Sequence, residues 1–227
     1  MFIIGGLQKT SLLDFPKKIA AIVFTQGCNF RCGYCHNAEL LDFSADAKVK
    51  EDEFFDFLKT RKGKLDGVVI TGGEPTVQSG LKDFVLKIKD LGFEVKLDTN
   101  GTNPKVLNEL NGLIDYIAMD IKAPFSKYEM ITGVRVNIGN IKESIDFIMS
   151  SDIDYEFRTT VVKSQLEFGD FEEIGKQIKG AKKYYLQKFV PSKIFDKKLI
   201  DETTYSDEEF KLICDNLKKY VEFVDFR

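Results

Sequence analysis

A chain of 227 residues with 43% hydrophobic and 30% charged residues has the composition of a soluble globule, long enough to bury one sizeable α/β core. Its 33 basic and 36 acidic residues nearly balance, which leaves no electrostatic footprint for nonspecific nucleic-acid binding. No apolar run approaches the roughly 20 residues that span a bilayer, and the stretch Met1-Phe2-Ile3-Ile4-Gly5-Gly6 lacks the marks of a secretory leader, so the expected setting is the cytoplasm, with no membrane partner.

In chain order, residues 7–16 are mixed in pattern, and Pro16 imposes extended or turn geometry before the apolar run Ile19 to Phe24, which reads as a buried strand. At the C-terminal end of that strand, where a parallel α/β sheet binds its ligands, comes Gly27-Cys28-Asn29-Phe30-Arg31-Cys32-Gly33-Tyr34-Cys35-His36-Asn37. The loop holds three of the four cysteines and the single histidine. Three soft thiolates at C-x3-C-x2-C spacing can wrap one metal centre, iron–sulfur or zinc. A disulfide framework has no purpose in so cysteine-poor a chain. Structural zinc needs four closed ligands, and His36 directly after Cys35 is an awkward fourth. Three thiolates suit a cubane cluster that leaves one iron open.

Strands and helices then alternate. Helical spacing covers Glu51 to Arg61, Leu81 to Leu91 with Gly92 as its cap, Asn103 to Leu110, Ile141 to Met149 and Phe171 to Ile178. Strands are expected at Gly67 to Thr71, Phe93 to Asp98, Tyr116 to Ile121, Tyr155 to Val162 and Tyr184 to Val190. Ser206 caps a last helix to about Lys219, with Glu209 at the capping-box position, and Val221 to Phe226 reads as an edge strand. No linker or internal repeat divides the chain, so one domain over residues 1–227 is expected. About six strand–helix repeats make either an open doubly wound sheet or a partial barrel.

Polar groups recur where these strands end. Thr71-Gly72-Gly73-Glu74-Pro75 offers two glycines for close backbone approach and a carboxylate, and matches neither a Walker loop nor a dinucleotide fingerprint. Leu97-Asp98-Thr99 ends the third strand and Asp120-Ile121-Lys122 the fourth; Arg158 lies on the fifth and Gln187 on the sixth. Such groups are expensive to bury unpaired, so their recurrence suggests one pocket facing the cysteine loop. Cys214, among Leu212, Ile213 and Leu217, reads as a small buried hydrophobe.

Cys28-x3-Cys32-x2-Cys35 with Tyr34 before the last cysteine, followed by Gly72-Gly73-Glu74-Pro75, resembles the radical S-adenosylmethionine (radical SAM) superfamily. The flanking runs Gly6-Leu7-Gln8-Lys9-Thr10-Ser11, Asp14-Phe15-Pro16, Phe24-Thr25-Gln26-Gly27 and Cys35-His36-Asn37 resemble the anaerobic ribonucleoside-triphosphate reductase activating proteins. The resemblance implies a partial (β/α)6 TIM-like barrel and a 4Fe-4S cluster on Cys28, Cys32 and Cys35. S-adenosylmethionine would chelate the fourth iron, with its amino group at Gly72, Gly73 and Glu74 and its adenine at the backbone near Tyr34. Asp98, Thr99, Asp120 and Lys122 would lie beside its carboxylate; Arg158 and Gln187 are weaker carry-overs, and the resemblance also allows a monovalent cation between the two aspartates. The implied chemistry is reductive cleavage to a 5′-deoxyadenosyl radical that takes hydrogen from a glycine of a glycyl-radical enzyme, with electrons from a flavodoxin- or ferredoxin-type donor. No protein general acid or base is assigned, and His36 is read as a structural or cofactor-side hydrogen-bonding group. Only Cys214 remains outside the loop, which leaves no ligands for auxiliary clusters. Competing readings are a pyruvate formate-lyase type of target, a small-molecule or peptide substrate, and, outside enzymes, a zinc-binding interaction module.

Overall fold

The computed structural model describes residues 2–44 and 46–227; Met1, part of the stretch read for a leader, lies outside them. Eight strands form one sheet in chain order: β1 (Ile4–Ser11), β2 (Ala20–Thr25), β3 (Gly67–Gly72), β4 (Glu94–Thr99), β5 (Tyr116–Asp120), β6 (Asp154–Val161), β7 (Tyr184–Lys188) and β8 (Val224–Phe226). β1 runs antiparallel to β2, and every later neighbour is parallel. The order never reverses. Right-handed crossovers therefore carry every helix to one face, which makes a partial barrel and removes the doubly wound alternative.

The alternation of side chains across the strands builds two cores. Ala21, Val23, Val68, Ile70, Val95, Leu97, Ile117 and Met119 face the helices and belong to the large core. Their neighbours Ala20, Ile22, Val69, Tyr116 and Ala118 face inward and close round Phe15. Phe15 thus plugs the N-terminal end of the barrel, its ring against Tyr116 at 6.2 Å and against Gly67, where an added Cβ would meet it at 2.8 Å. The opposite end of the barrel, where the strands finish, stays open for a site.

The helices are α1 (Glu51–Lys59), α2 (Leu81–Asp90), α3 (Pro104–Glu109), α4 (Tyr128–Thr132), α5 (Ile138–Ser150), α6 (Phe168–Gln177) and α7 (Asp207–Leu217). The capping box expected at Ser206 is present, with Glu209 reaching back to the Ser206 N–H. α6 and β8 begin at Phe168 and Val224 where Phe171 and Val221 were expected, and three further elements differ from the sequence reading. The mixed opening segment is a strand, because β1 gains backbone partners from β2 that its own pattern does not announce. α5 begins at Ile138, since the Asn137 side chain accepts from the Gly139 N–H and fixes the start. α4 was not foreseen; it is a single turn stopped by Gly133 in the left-handed region, too short to carry a periodic signal. Among the described residues no helix is long and apolar enough to cross a membrane.

Candidate functional site

The cysteine loop leaves β2 and is fastened by backbone hydrogen bonds to the turn after β3. Gly73 N–H donates to Thr25 O over 2.9 Å, and Glu74 N–H donates to Gly27 O over 2.9 Å. An added Cβ on Gly73 would lie 2.0 Å from Gly27 O, so the two loops approach as only glycine permits. On the other flank Arg31 N–H donates to Thr132 O over 2.7 Å, which ties the loop to α4, and Tyr128 of α4 accepts from the Lys122 N–H over 3.2 Å. The unforeseen helix is therefore a brace between the loop and the end of β5.

These contacts enclose a cavity of about 250 Å³. Its walls include Cys28, Cys32 and Cys35, together with Tyr34, Gly72, Gly73, Glu74, Asp98, Thr99, Asp120, Lys122 and Arg158. All but one of the residues expected at the site are brought together. The exception is Gln187 of β7, the register neighbour of Thr160 of β6; Thr160 lines the cavity and Gln187 does not.

Glu74 is 1% exposed and wrapped in donors: the Thr76 N–H at 3.1 Å and hydroxyl at 2.6 Å, the Thr99 hydroxyl at 2.7 Å and the Asn100 N–H at 2.7 Å. Burial raises its pKa against these bonds. The carboxylate locks the ends of β3 and β4 together as well as facing the cavity.

Across the barrel runs an alternating row of charges. The Lys96 ammonium pairs with Asp98 Oδ1; Arg158 Nη1 donates to Asp98 Oδ2 over 3.2 Å and its Nε to Asp120 Oδ1 over 3.0 Å; Lys122 Nζ donates to Asp120 Oδ2 over 2.9 Å. Burial alone would raise the pKa of Asp120, yet Lys122 and Arg158 hold it at about 2. Asp98 is lowered in the same way, Arg158 and Lys96 prevailing over burial. For Lys122 burial opposes the charge, and Asp120 outweighs it to hold the ammonium well above its usual pKa. Between the two aspartates, where the resemblance allows a monovalent cation, stands the Arg158 guanidinium, and each carboxylate has a lysine on its other oxygen.

All four cysteines are free thiols. Cys28 and Cys32 are 9% and 6% exposed; burial pushes the Cys28 thiol up to about 12 and raises Cys32 as well, so holding a metal there means displacing protons. Cys35 is less buried, and its N–H closes a turn onto Cys32 O at 3.0 Å. Among the described residues no three His, Cys, Asp or Glu side chains gather around a point that would hold a single ion. The three thiols line one cavity, a donor set that suits a polynuclear cluster whose thiolates sit on separate irons. Two further features fit a bound organic ligand. Gly72 and Gly73 line the same cavity as the thiols with backbone alone, and the buried Tyr34 hydroxyl has no hydrogen-bond partner although Tyr34 lines the cavity. His36 is exposed, its ring 6.4 Å from that of Phe189. Cys214 is buried in α7 among Phe210, Ile213 and Leu217.

Sequence reasoning missed an amide network behind the loop. Asn100 Nδ2 donates to Asn29 Oδ1 over 2.8 Å, Asn29 Nδ2 donates to the Thr102 hydroxyl over 2.8 Å, and Asn140 Nδ2 of α5 donates to Thr102 O over 2.9 Å. Asn29 lies inside the cysteine motif and Asn100 directly follows Asp98-Thr99, the signal by which they could have been found. Lys96 was missed as well, because a lysine on a strand usually marks a solvent face.

Comparison with known proteins agrees with this geometry. A family model described as the radical SAM superfamily matches residues 22–178. A putative glycyl-radical enzyme activating enzyme of Methanocaldococcus jannaschii is 36% identical over 237 residues, covering 99% of this chain and 95% of that protein. The pyruvate formate-lyase-activating enzyme of Clostridium pasteurianum is 31% identical over 136 residues, 57% of each. Among solved structures, a domain of a pyruvate-formate lyase-activating enzyme from Bacteroides vulgatus is 17% identical with a TM-score of 0.57, covering 71% of this chain and 98% of that one. SuiB of Streptococcus suis bound to its precursor peptide is 15% identical with a TM-score of 0.67, covering 91% of this chain and 48% of that one. At such identities the two structures share the fold.

Proposed function

The chain belongs to the radical SAM superfamily, and on that footing we propose that it generates a glycyl radical on a partner enzyme, an anaerobic ribonucleoside-triphosphate reductase. The observation that carries the reading is the shared cavity: three thiols open onto the same space as a glycine cradle, an unpartnered buried hydroxyl and a charged strand-end row. Cys28, Cys32 and Cys35 would hold a 4Fe-4S cluster, and Gly72, Gly73, Glu74, Tyr34, Asp98, Thr99, Asp120, Lys122 and Arg158 would hold S-adenosylmethionine. When bound, that pair supplies a low-potential electron and a carbon-centred radical able to take hydrogen from a glycine.

The protein's own part is placement and exclusion. Gly73 lets the turn after β3 lie against the loop, Glu74 fixes the ends of β3 and β4, and Arg158 holds Asp98 and Asp120 at a set separation. Phe15 and the apolar floor above it keep water from entering through the N-terminal end of the barrel. No side chain is assigned a proton-transfer role. The expected electron source is a flavodoxin- or ferredoxin-type protein in the cytoplasm.

The identity to a protein named as a glycyl-radical enzyme activating enzyme supports the class of partner, and the runs around residues 6–16 and 24–37 support the reductase as its identity. Anaerobically reconstituted protein, reduced and mixed with S-adenosylmethionine and an anaerobic ribonucleotide reductase, is expected to give a glycyl radical signal in electron paramagnetic resonance. A signal on pyruvate formate-lyase alone would move the target, and cofactor cleavage with no signal on any glycyl-radical enzyme would defeat the assignment.

A further inference from the structure

The cysteine loop is a partition with a cavity on each side. Cys28, Phe30, Cys32 and Tyr34 line the inner cavity, while the alternate residues Arg31 and Gly33 line a second hollow of about 400 Å³ on the outside. Met130 and Ile131 of α4, Gln165, and Phe195 and Leu199 of the segment after β7 also line that hollow. The segment after β7 is fastened to the outer edge of the loop: the Phe195 N–H donates to Cys35 O and the Asp196 N–H to Gly33 O, each over 2.9 Å. A single run of backbone therefore separates the outer hollow from the cavity that holds the thiols.

The hollow has an apolar rim open to solvent. Met130 is 60% exposed and Phe195 45%, and Val190 and Ile200 carry the exposed apolar groups further along the same segment. Large apolar side chains gathered on one face mark a contact surface. Charge adds little to it. Over residues 190–202, Lys193, Lys197 and Lys198 are balanced by Asp196, Asp201 and Glu202, and beside α4 Arg135 is balanced by Glu129. Arg31 is left over, its guanidinium turned onto the carbonyls of Cys28 and Phe30. The Gln165 Oε1 is buried without a hydrogen-bond partner, an acceptor left for an incoming donor.

We propose that this outer face is the docking surface of a flavodoxin-type carrier, which delivers its electron through the cysteine loop from behind. This rests on the reading above, in which Cys28, Cys32 and Cys35 hold a cluster. Cofactor and reductant both need that cluster within one cycle. The inner cavity is taken by the cofactor and the partner's glycine, so the face left to the reductant is the outside of the loop. A flavin carrier suits it because the ring offers a flat apolar edge, for which an exposed phenyl ring and a thioether are matched contacts. In the step one electron leaves the reduced flavin and the cluster gains it; no bond forms or breaks, and no proton is required.

The test follows cluster reduction by stopped-flow absorbance on anaerobically reconstituted protein, with flavodoxin in its hydroquinone state as donor. Met130→Ala and Phe195→Ala should each slow reduction about tenfold, the scale of losing one interface anchor. Dithionite is small enough to need no docking face, and should reduce both variants at the wild-type rate with iron content unchanged. Leu212→Ala removes a side chain that is 58% exposed on α7 and does not line the hollow, and should change neither rate. If Phe195→Ala loses iron, Met130→Ala, which makes no hydrogen bond to the loop, decides the matter. Equal slowing with both donors would place the effect on the cluster, and flavodoxin rates unchanged in both variants would leave the face without this partner; either overturns the proposal. So does a cluster that dithionite reduces and flavodoxin does not. A wild type that takes up no iron defeats the cluster reading itself.

Discussion

Arg158 and Asp120 are register partners across β5 and β6, and the Nε–H of the first donates to Oδ1 of the second over 3.0 Å. The same guanidinium reaches Asp98, so one side chain holds two strand ends. Removing it as Arg158→Met leaves two buried carboxylates short of a partner. A loss of about 3–5 kcal/mol is expected in urea unfolding, with Arg158→Lys recovering part of it. A loss below about 1 kcal/mol, the range of an exposed pair, would show that the row is not a buried network.

Asp120 also sets a pH dependence. Its folded pKa is about 2 against an ordinary 3.8, so its contribution is complete above 3.8 and disappears as pH falls through about 2. The stability difference between wild type and Asp120→Asn should therefore narrow by roughly 2 kcal/mol between pH 5 and pH 2. A difference that stays constant over that window would contradict the depressed value.

Cys28→Ala, Cys32→Ala and Cys35→Ala are each expected to abolish iron and sulfide uptake on anaerobic reconstitution. Cys214→Ala, a change inside the packing of α7, should keep both. Wild-type iron content in any of the first three would remove that residue from the ligand set.

Gly73 and Gly169 make an internal contrast. A Cβ at Gly73 would collide with Gly27 O at 2.0 Å, while one at Gly169 meets nothing within 4 Å. Gly73→Ala should cost about 1–3 kcal/mol and separate the two loops, seen as reduced iron retention. Gly169→Ala, in the first turn of α6, should be neutral or stabilise by up to about 1 kcal/mol.

The amide network predicts a coupled loss. Asn29→Ala leaves Asn100 Nδ2 and the Thr102 hydroxyl without the partner each now has in Asn29. A destabilisation of about 1–3 kcal/mol follows from such orphaned groups, with faster loss of the cluster. Unfolding midpoints and iron release measured on the same sample check both, and a change in one without the other would separate Asn29 from the support of the loop.

Much of the barrel could be read from residue order. Apolar runs such as Val68-Val69-Ile70 and the spacing of Leu81, Phe84, Val85 and Ile88 report their own burial, because strand and helix periods are local. β1 and α4 could not be read that way. The first depends on pairing with β2, and the second is one turn held by Tyr128, Thr132 and contacts to residues 31 and 122.

The division at the site has the same cause. Sequence by itself determined the thiolate triad, the glycine turn and the strand-end carboxylates, since each is a chemical pattern within a few consecutive residues. Only the tertiary structure decided that Arg158 stands between Asp98 and Asp120, that Lys96 is buried rather than solvated, and that Gln187 misses the cavity. Those outcomes depend on strand register and on the inward or outward turn of each side chain, and register is fixed by packing between segments far apart in the chain.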